Sequence, residues 1–246
     1  MKIITIGTGH GSATATNMSS VTYLQCGNRS YLVDCADGAD AVMVRKNLDP
    51  SKLSAVFITH MHLDHTGGLP VIMKRNIKHN GSPMTMVLPD MELVPCMEQW
   101  VAVQGFAEEM APSPFKYVES KKGFDDGTVK LEAFPTKHLA PIGRQSYAYR
   151  LTTENKVICF TGDLRGDCSD FPFEAADNSD LVISELTHFR LEHIWPHLEK
   201  LNTKALVFNH LGNWSQVPEE QERIREKCKE LPYPVTLAYD GMELTL

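Results

Sequence analysis

Residues 54–65, Ser54-Ala55-Val56-Phe57-Ile58-Thr59-His60-Met61-His62-Leu63-Asp64-His65, decide how this chain reads. The apolar run Ala55–Ile58 has the length and composition of a buried strand. It ends abruptly in three imidazoles and a carboxylate crowded into six residues. In extended backbone alternate side chains point the same way, so His60 and His62 can face one cation. Gly67-Gly68 precedes a helix expected over Leu69–Lys78, and the turn into it re-aims Asp64 and His65 toward a second cation. Imidazole and carboxylate suit borderline metals such as zinc, with manganese and iron as rivals. Without a cation, so many neighbouring imidazoles would repel one another on protonation.

A site built from one loop needs partners elsewhere, and three positions offer them. His138 in Phe-Pro-Thr-Lys-His, Asp163 in Cys-Phe-Thr-Gly-Asp and His210 in Leu-Val-Phe-Asn-His each follow a strand-like run. Ligands at strand ends and on the loops after them are held by a rigid scaffold.

Around these positions the pattern alternates between strands and helices. Strands are expected at Lys2–Ile6, Val21–Gln25, Ser30–Val33, Ser54–Ile58 and Met84–Leu88, with a helix over Ala39–Asn47. The segment from Met84 to Lys122 is the least regular, and reads as a core-facing helix followed by a loop. Its methionines and Trp100 also suit a pocket or a dimer face. In the second half strands are expected at Val129–Phe134, Ser146–Leu151, Lys156–Phe160, Leu181–Ser184, Ala205–Phe208, Val235–Leu237 and Glu243–Leu246. Helices are expected at Leu191–Lys200 and Pro218–Lys229. This order predicts an α/β architecture in which two sheets pack face to face with helices outside, and one domain over residues 1–246.

The 246 residues carry 24 basic and 31 acidic side chains, a net charge of −7, which disfavours a broad polyanion-binding surface. The six cysteines form no C-x-x-C pair and read as reduced, buried thiols. The opening MKIITIGTGHG is too short in apolar residues for a signal segment, and no run approaches the ~18 apolar residues of a spanning helix. A cytoplasmic protein is expected.

The sequence HMHLDHTGG, followed by a later histidine, a TGD and a further histidine, resembles the metallo-β-lactamase fold superfamily over nearly the whole chain. The resemblance implies an αββα sandwich with a dinuclear site at one edge of the sheets. It assigns His60, His62 and His138 to a first metal and Asp64, His65 and His210 to a second, with Asp163 bridging.

The opening ITIGTGHGSATATNMSSVTYLQ and the later YLVDCADG look like ribonuclease Z and its phosphodiesterase relatives. Asp34 is then expected behind the ligand histidines rather than among the ligands. Ser-Glu185-Leu-Thr-His188 looks like a condensed form of that branch's glutamate and histidine motifs, which form a dyad beside the metals. Two features depart from the branch. Asp163 follows His138 by only 25 residues, room for one β-hairpin, where tRNA-processing members carry a long arm. Thr16 stands where those enzymes usually have arginine.

The implied activity is hydrolysis of a small or cyclic phosphodiester by a hydroxide bridging two divalent ions, zinc first, manganese or iron as alternatives. Asp64, Glu185 and His188 are the catalytic candidates. Hydrolysis of an ester, lactone or thioester at the same metals, ribonuclease Z-type RNA cleavage, and a non-catalytic metal-binding domain are the alternatives. No membrane partner is expected, tRNA is disfavoured, and a homodimer stays open. His193 and His197, four apart, are expected on a helix surface or core edge; His10 and His79 receive no role, and Arg165 is a candidate anion contact.

Overall fold

A computed structural model of the chain describes residues 1–12 and 14–246. The first half supplies strands β1 (Lys2–Gly7), β2 (Val21–Cys26), β3 (Arg29–Val33), β4 (Ala55–Phe57), β5 (Thr85–Leu88) and β6 (Lys116–Glu119). Helices α1 (Ala39–Arg45), α2 (Leu63–Thr66), α3 (Leu69–Lys78) and α4 (Leu93–Val101) lie between them. The second half adds β7 (Phe124–Asp125), β8 (Lys130–Thr136), β9 (Ser146–Thr152), β10 (Val157–Phe160), β11 (Leu181–Leu186), β12 (Leu206–Leu211) and β13 (Val235–Leu237). Its helices are α5 (Phe173–Ala176), α6 (Leu191–Leu198) and α7 (Pro218–Cys228). The last strand, β14 (Met242–Thr245), crosses back to pair antiparallel with β1.

Two mixed sheets of seven strands result, in the orders β14-β1-β2-β3-β4-β5-β6 and β13-β12-β11-β10-β9-β8-β7. Period-two alternation sends each strand's side chains to two different layers. Ile3, Tyr31, Phe57 and Val87 of the first sheet meet Tyr149, Ile158, Phe160 and Ile183 of the second in the central core. Ile4, Ile6, Leu32 and Val56 turn outward instead, onto Met43, Leu69, Ile72 and Met97 from the helical side. On the other outer face Val182, Leu206 and Phe208 pack against Ile194, Leu198 and Ile224. Three apolar layers between four structural layers make this the αββα sandwich of the metallo-β-lactamase fold.

β3, β4, β5 and β6 are mutually parallel, as are β10, β11, β12 and β13. β8 runs in the direction of β10, because each pairs antiparallel with β9. The segments after β4, β8 and β10, and the carboxyl ends of β11 and β12, meet at one edge of the sandwich, the place where α/β sheets collect ligands.

The structure revises three expectations. The irregular middle holds α4 and then a π-helical turn, Ala102–Phe106, with Gly105 at φ 98°. Met97 and Val101 face the core there, while Trp100 is 63% exposed. A strand, β6, follows where a loop was expected; its sequence, Lys-Tyr-Val-Glu, has too little apolar contrast for an edge strand to be read from pattern. Five of the cysteines are buried thiols, but Cys96 is exposed on α4. Among the described residues no helix is long and apolar enough to cross a membrane.

Candidate metal centre

After β4 the chain bends at Thr59, His60 bridges to Ser146 on β9, and His62 is extended before α2 begins. His60 Nε2 and His62 Nδ1 therefore converge to 3.1 Å, and His138 Nε2 comes within 3.3 Å of the same His62 nitrogen. One turn of helix then carries Asp64 and His65 the other way. His65 Nε2 lies 3.3 Å from Asp64 Oδ2 and 3.2 Å from His210 Nε2, and His210 Nε2 lies 3.3 Å from Asp64 Oδ2. Asp163 stands between the two sets. Its Oδ2 is 3.5 Å from His60, 3.8 Å from His138 and 3.6 Å from His65, while its Oδ1 is 3.8 Å from His210. His60, His62, His138 and Asp163 thus form one group of ligating atoms, and Asp64, His65 and His210 a second.

Hydrogen bonds behind the ring fix which nitrogen each buried histidine presents. Asp34, 5% exposed and held at φ 60°, accepts from the Thr59 backbone N–H (2.8 Å), the Thr59 hydroxyl (3.0 Å) and His65 Nδ1–H (2.8 Å). Since that hydroxyl donates to Asp34, it is free to accept from His60 Nδ1–H at 3.1 Å. One carboxylate thereby engages Nδ1 of both His60 and His65 behind the ring and leaves Nε2 of each facing forward. Thr187 does the same for His210: its hydroxyl donates to the His210 carbonyl and lies 2.9 Å from Nδ1.

His210 owes its direction to a backbone irregularity. Glu185 pairs with Asn209 and Leu186 with Leu211, so His210 is an extra residue in β12, at φ 46°. Strict alternation after inward Val207 would send residue 210 toward the outer helices; the bulge turns it to the edge. Gly162, at φ 58°, serves the Asp163 loop similarly. A Cβ there would stand 2.6 Å from the Tyr147 carbonyl oxygen, so only glycine fits.

The buried charges respond to one another. Burial alone would raise the Asp163 carboxyl, but His210, His65 and His60 hold it well below the usual carboxylate range. Burial is likewise outweighed at Asp64, which hydrogen bonds from His210 and His65 keep ionised. Burial lowers His60, reinforced by His65. At His65 it is overcome by Asp34 and Asp163, and the imidazole is pushed well above its ordinary value. Anionic oxygens and convergent imidazole nitrogens are the donor set that a divalent cation takes.

Glu185 and His188 border this edge. The Glu185 carboxylate accepts from the backbone N–H of Leu164 (2.6 Å), Thr187 (3.1 Å) and His188 (3.0 Å), and from His188 Nδ1–H at 2.8 Å. Burial works against protonation of His188, yet Glu185 raises it to about 9. The His188 ring lies 4.6 Å from that of His138, centroid to centroid.

Residues that the pattern of the sequence did not single out also build the site. Asp170, 9% exposed, accepts from the backbone N–H of Lys137 (2.6 Å) and of Arg165 (3.0 Å) and so ties the His138 loop to the Asp163 loop. Nothing in Asp167-Cys-Ser-Asp170 distinguishes this carboxylate from an ordinary turn residue. Thr59 and Thr187 each adjoin a histidine in sequence, the only sign of their part. His193 and His197 lie apart from the centre. His193 accepts from the Arg190 N–H at the start of α6, and His197 stacks on Phe171. His10 joins Asn213 at 2.8 Å, and Arg165 pairs with Asp167 at 3.6 Å.

Residues 1–206 match the family model described as anti-Pycsar protein Apyc1. Ribonuclease BN of Escherichia coli O7:K1 is 31% identical over 163 residues, 63% of this chain and 51% of that protein. The chain thus spans about half the length of that relative. Among solved structures, the metallo-β-lactamase fold protein YhfI of Bacillus subtilis superposes with a TM-score of 0.79 at 19% identity, covering 99% of this chain and 98% of the other. The short form of human tRNase Z superposes at 0.71 and 20% identity, covering 100% and 99%. Both structural likenesses are likenesses of fold.

Proposed function

The chain belongs to the anti-Pycsar Apyc1 family, and from that premise we propose that residues 1–246 form one metal-dependent phosphodiesterase domain that opens a small or cyclic phosphodiester. One observation carries the reading: seven side chains able to ligate a metal, from both halves of the sandwich, converge in two groups, with Asp163 of the first within 3.8 Å of His65 and His210 of the second, beside an imidazole held by a buried carboxylate. His60, His62 and His138 would hold one divalent ion, Asp64, His65 and His210 a second, with Asp163 between them. Zinc suits the donors first, manganese or iron next. Ions bound there would acidify water and neutralise charge on the phosphoryl oxygens.

The chain's own groups supply the rest. Asp64 stays ionised and orients the attacking water while serving as a ligand. His188 keeps Nδ1 on Glu185, which leaves Nε2 as the atom that delivers a proton to the leaving oxygen, a contribution of roughly 10²–10⁴-fold. Asp34, through His65 and Thr59, and Thr187, through His210, hold the ligands in their tautomers.

The ribonuclease BN likeness supports RNA cleavage as a second reading. Against it stand the interval between His138 and Asp163, which is taken up by a 3-10 turn and the β9–β10 hairpin, and the acidic balance of the chain. The test is turnover of bis(p-nitrophenyl) phosphate and of a 3′,5′-cyclic nucleotide by protein loaded separately with zinc and manganese. Metal-dependent release that vanishes in His60→Ala is the expected result. Inertness of metal-loaded protein on both, with turnover of a thioester, would move the activity to carbon esters.

A further inference from the structure

Where the space between the sheets reaches the metal-ligating edge, its lining turns polar. On the second sheet Val207 faces the central core and Phe208 the outer helices, so alternation brings Asn209 inward again. On the first sheet Thr22 pairs with Val33, itself part of that core. Asn209, Thr22 and Ser20 border a cavity of about 30 Å³, with Val33, Phe160 and Ile183 on its apolar side. His65 and His210 of the second ligating group line it too, as does Asp163. Asn209 is 4% exposed; its amide N–H donates to Ser20 Oγ at 3.3 Å, while its Oδ1 has no partner among the described residues.

An apolar residue at position 209 would extend the core. An asparagine there, with one end of its amide unpaired, costs stability unless a polar group meets it. A water needs roughly 10–15 Å³ of cavity and two to four polar partners. The cavity exceeds that volume, and Asn209 Oδ1 with the side chains of Ser20 and Thr22 offers the partners.

We infer that this cavity is a site for bound water held by Asn209, and that Asn209 is a positioning residue which, through that water, keeps His65 and His210 turned toward the second ion. The inference rests on the reading of that group as metal ligands. Asn209 immediately precedes His210, the extra residue of β12, and the cavity adjoins that bulge. Both imidazoles border the cavity, so a water in it backs both rings, whereas a dry cavity would let either ring turn away from the ion. His60, His62 and His138 lie outside its lining, so the first group should respond less than the second.

Two substitutions at one position separate water from packing. Asn209→Leu removes the amide with little change of shape and should dry the cavity, while Asn209→Ser keeps a hydroxyl and leaves room for water. Oxygen-17 magnetic relaxation dispersion at saturating zinc is expected to count at least one long-lived water fewer in Asn209→Leu than in wild type, and no fewer in Asn209→Ser. Zinc titration into chelator-stripped protein supplies the second readout, the second-group step being the one that His65→Ala abolishes. That step is expected to weaken at least tenfold in Asn209→Leu, with the other step within threefold, and to return to within threefold of wild type in Asn209→Ser. An equal water count in wild type and Asn209→Leu would overturn the water site. Fewer waters with both zinc steps unchanged would overturn the positioning role. A serine variant as weak as the leucine variant would overturn it in favour of a packing effect. Sodium-23 relaxation present in wild type and lost in Asn209→Leu would overturn it in favour of a bound monovalent cation. If Asn209→Leu does not fold, Thr22→Val decides from the other sheet at constant shape: the second-group step is expected to weaken at least threefold, and an unchanged step would overturn the inference. Wild-type protein that takes up no zinc would sink the metal reading, and the water count would still test the cavity.

Discussion

At the scale of single residues the site depends on groups that touch no substrate. Asp34 satisfies one backbone N–H, one hydroxyl and one imidazole at once, and through them sets the tautomers of His60 and His65. Its removal leaves the Thr59 N–H unpaired in the core and lets both rings rotate. Asp34→Ala should therefore weaken metal binding by about 10–100-fold, the usual cost of losing a partner behind a ligand. Titration of zinc into chelator-stripped protein measures it, and unchanged affinity would refute the orienting role. His188 makes the opposite prediction. His188 converges with Asp163, Glu185 and His210, but its Nδ1 is engaged by Glu185, so His188→Ala should lower kcat by about 10²–10⁴-fold while zinc content stays at the wild-type level. A variant that lost metal together with rate would mark His188 as a ligand. The seven candidate ligands were legible in sequence because each is a metal-ligating residue type in a segment that follows a strand-like apolar run. The hydroxyls of Thr59 and Thr187 were not, since a threonine beside a histidine carries no signal until the backbone shows where its Oγ1 points.

At the scale of elements, loops rather than strands decide the geometry, and buried carboxylates hold the loops. Asp170→Asn keeps the shape but turns one acceptor into a donor facing a backbone N–H, either of Lys137 or of Arg165. It should loosen the His138 loop and weaken the first metal group more than the second, which isotherms with two resolvable steps would report. Equal weakening of both steps would count against this staple. Asp126 ties the sheets together elsewhere. It accepts from Tyr31 on β3 (2.8 Å), from the N–H groups of Thr128 (2.9 Å) and Val129 (3.0 Å), and pairs with Arg29 at 2.5 Å. Burial would raise its pKa, but these partners outweigh burial and depress it. A depressed folded value means the contribution is complete above the unfolded pKa near ~3.9 and is lost as pH falls through the folded one. Asp126→Asn should accordingly cost about 2 kcal/mol at pH 7, and the gap to wild type should narrow as pH falls below the unfolded value. Urea melts of both proteins across that range test it; a gap independent of pH would refute the assignment. Strand positions were readable to within a residue or two in β4 and β11, whereas β12 runs three residues past the expected Phe208. The His210 bulge was not readable, because one extra residue in a strand leaves its apolar pattern intact and changes only where the last side chain points.

At the scale of the whole molecule, the centre joins two sheets that otherwise meet through apolar contact. His60, His62, Asp64 and His65 come from the first sheet's half of the chain, and His138, Asp163 and His210 from the second. The central core already holds the sheets face to face without an ion, and ions bound to these groups would act as a clamp at one edge. A cation that binds the folded chain but not the unfolded one stabilises it by about 2.7 kcal/mol at a free concentration 100 times its Kd. In a chain of this length each kcal/mol moves Tm by about 2–4 °C, so zinc at that level should raise Tm by roughly 5–11 °C for each ion bound. The rise should continue logarithmically with zinc, disappear on chelation and be abolished in Asp163→Ala, which removes the carboxylate that lies between the two groups. Asp126→Asn is the control: it lowers Tm by a similar amount with and without zinc, because its contacts lie away from the ligands. Stripped and loaded wild-type protein melting at the same temperature would show that the seven side chains hold no clamp, however well they converge.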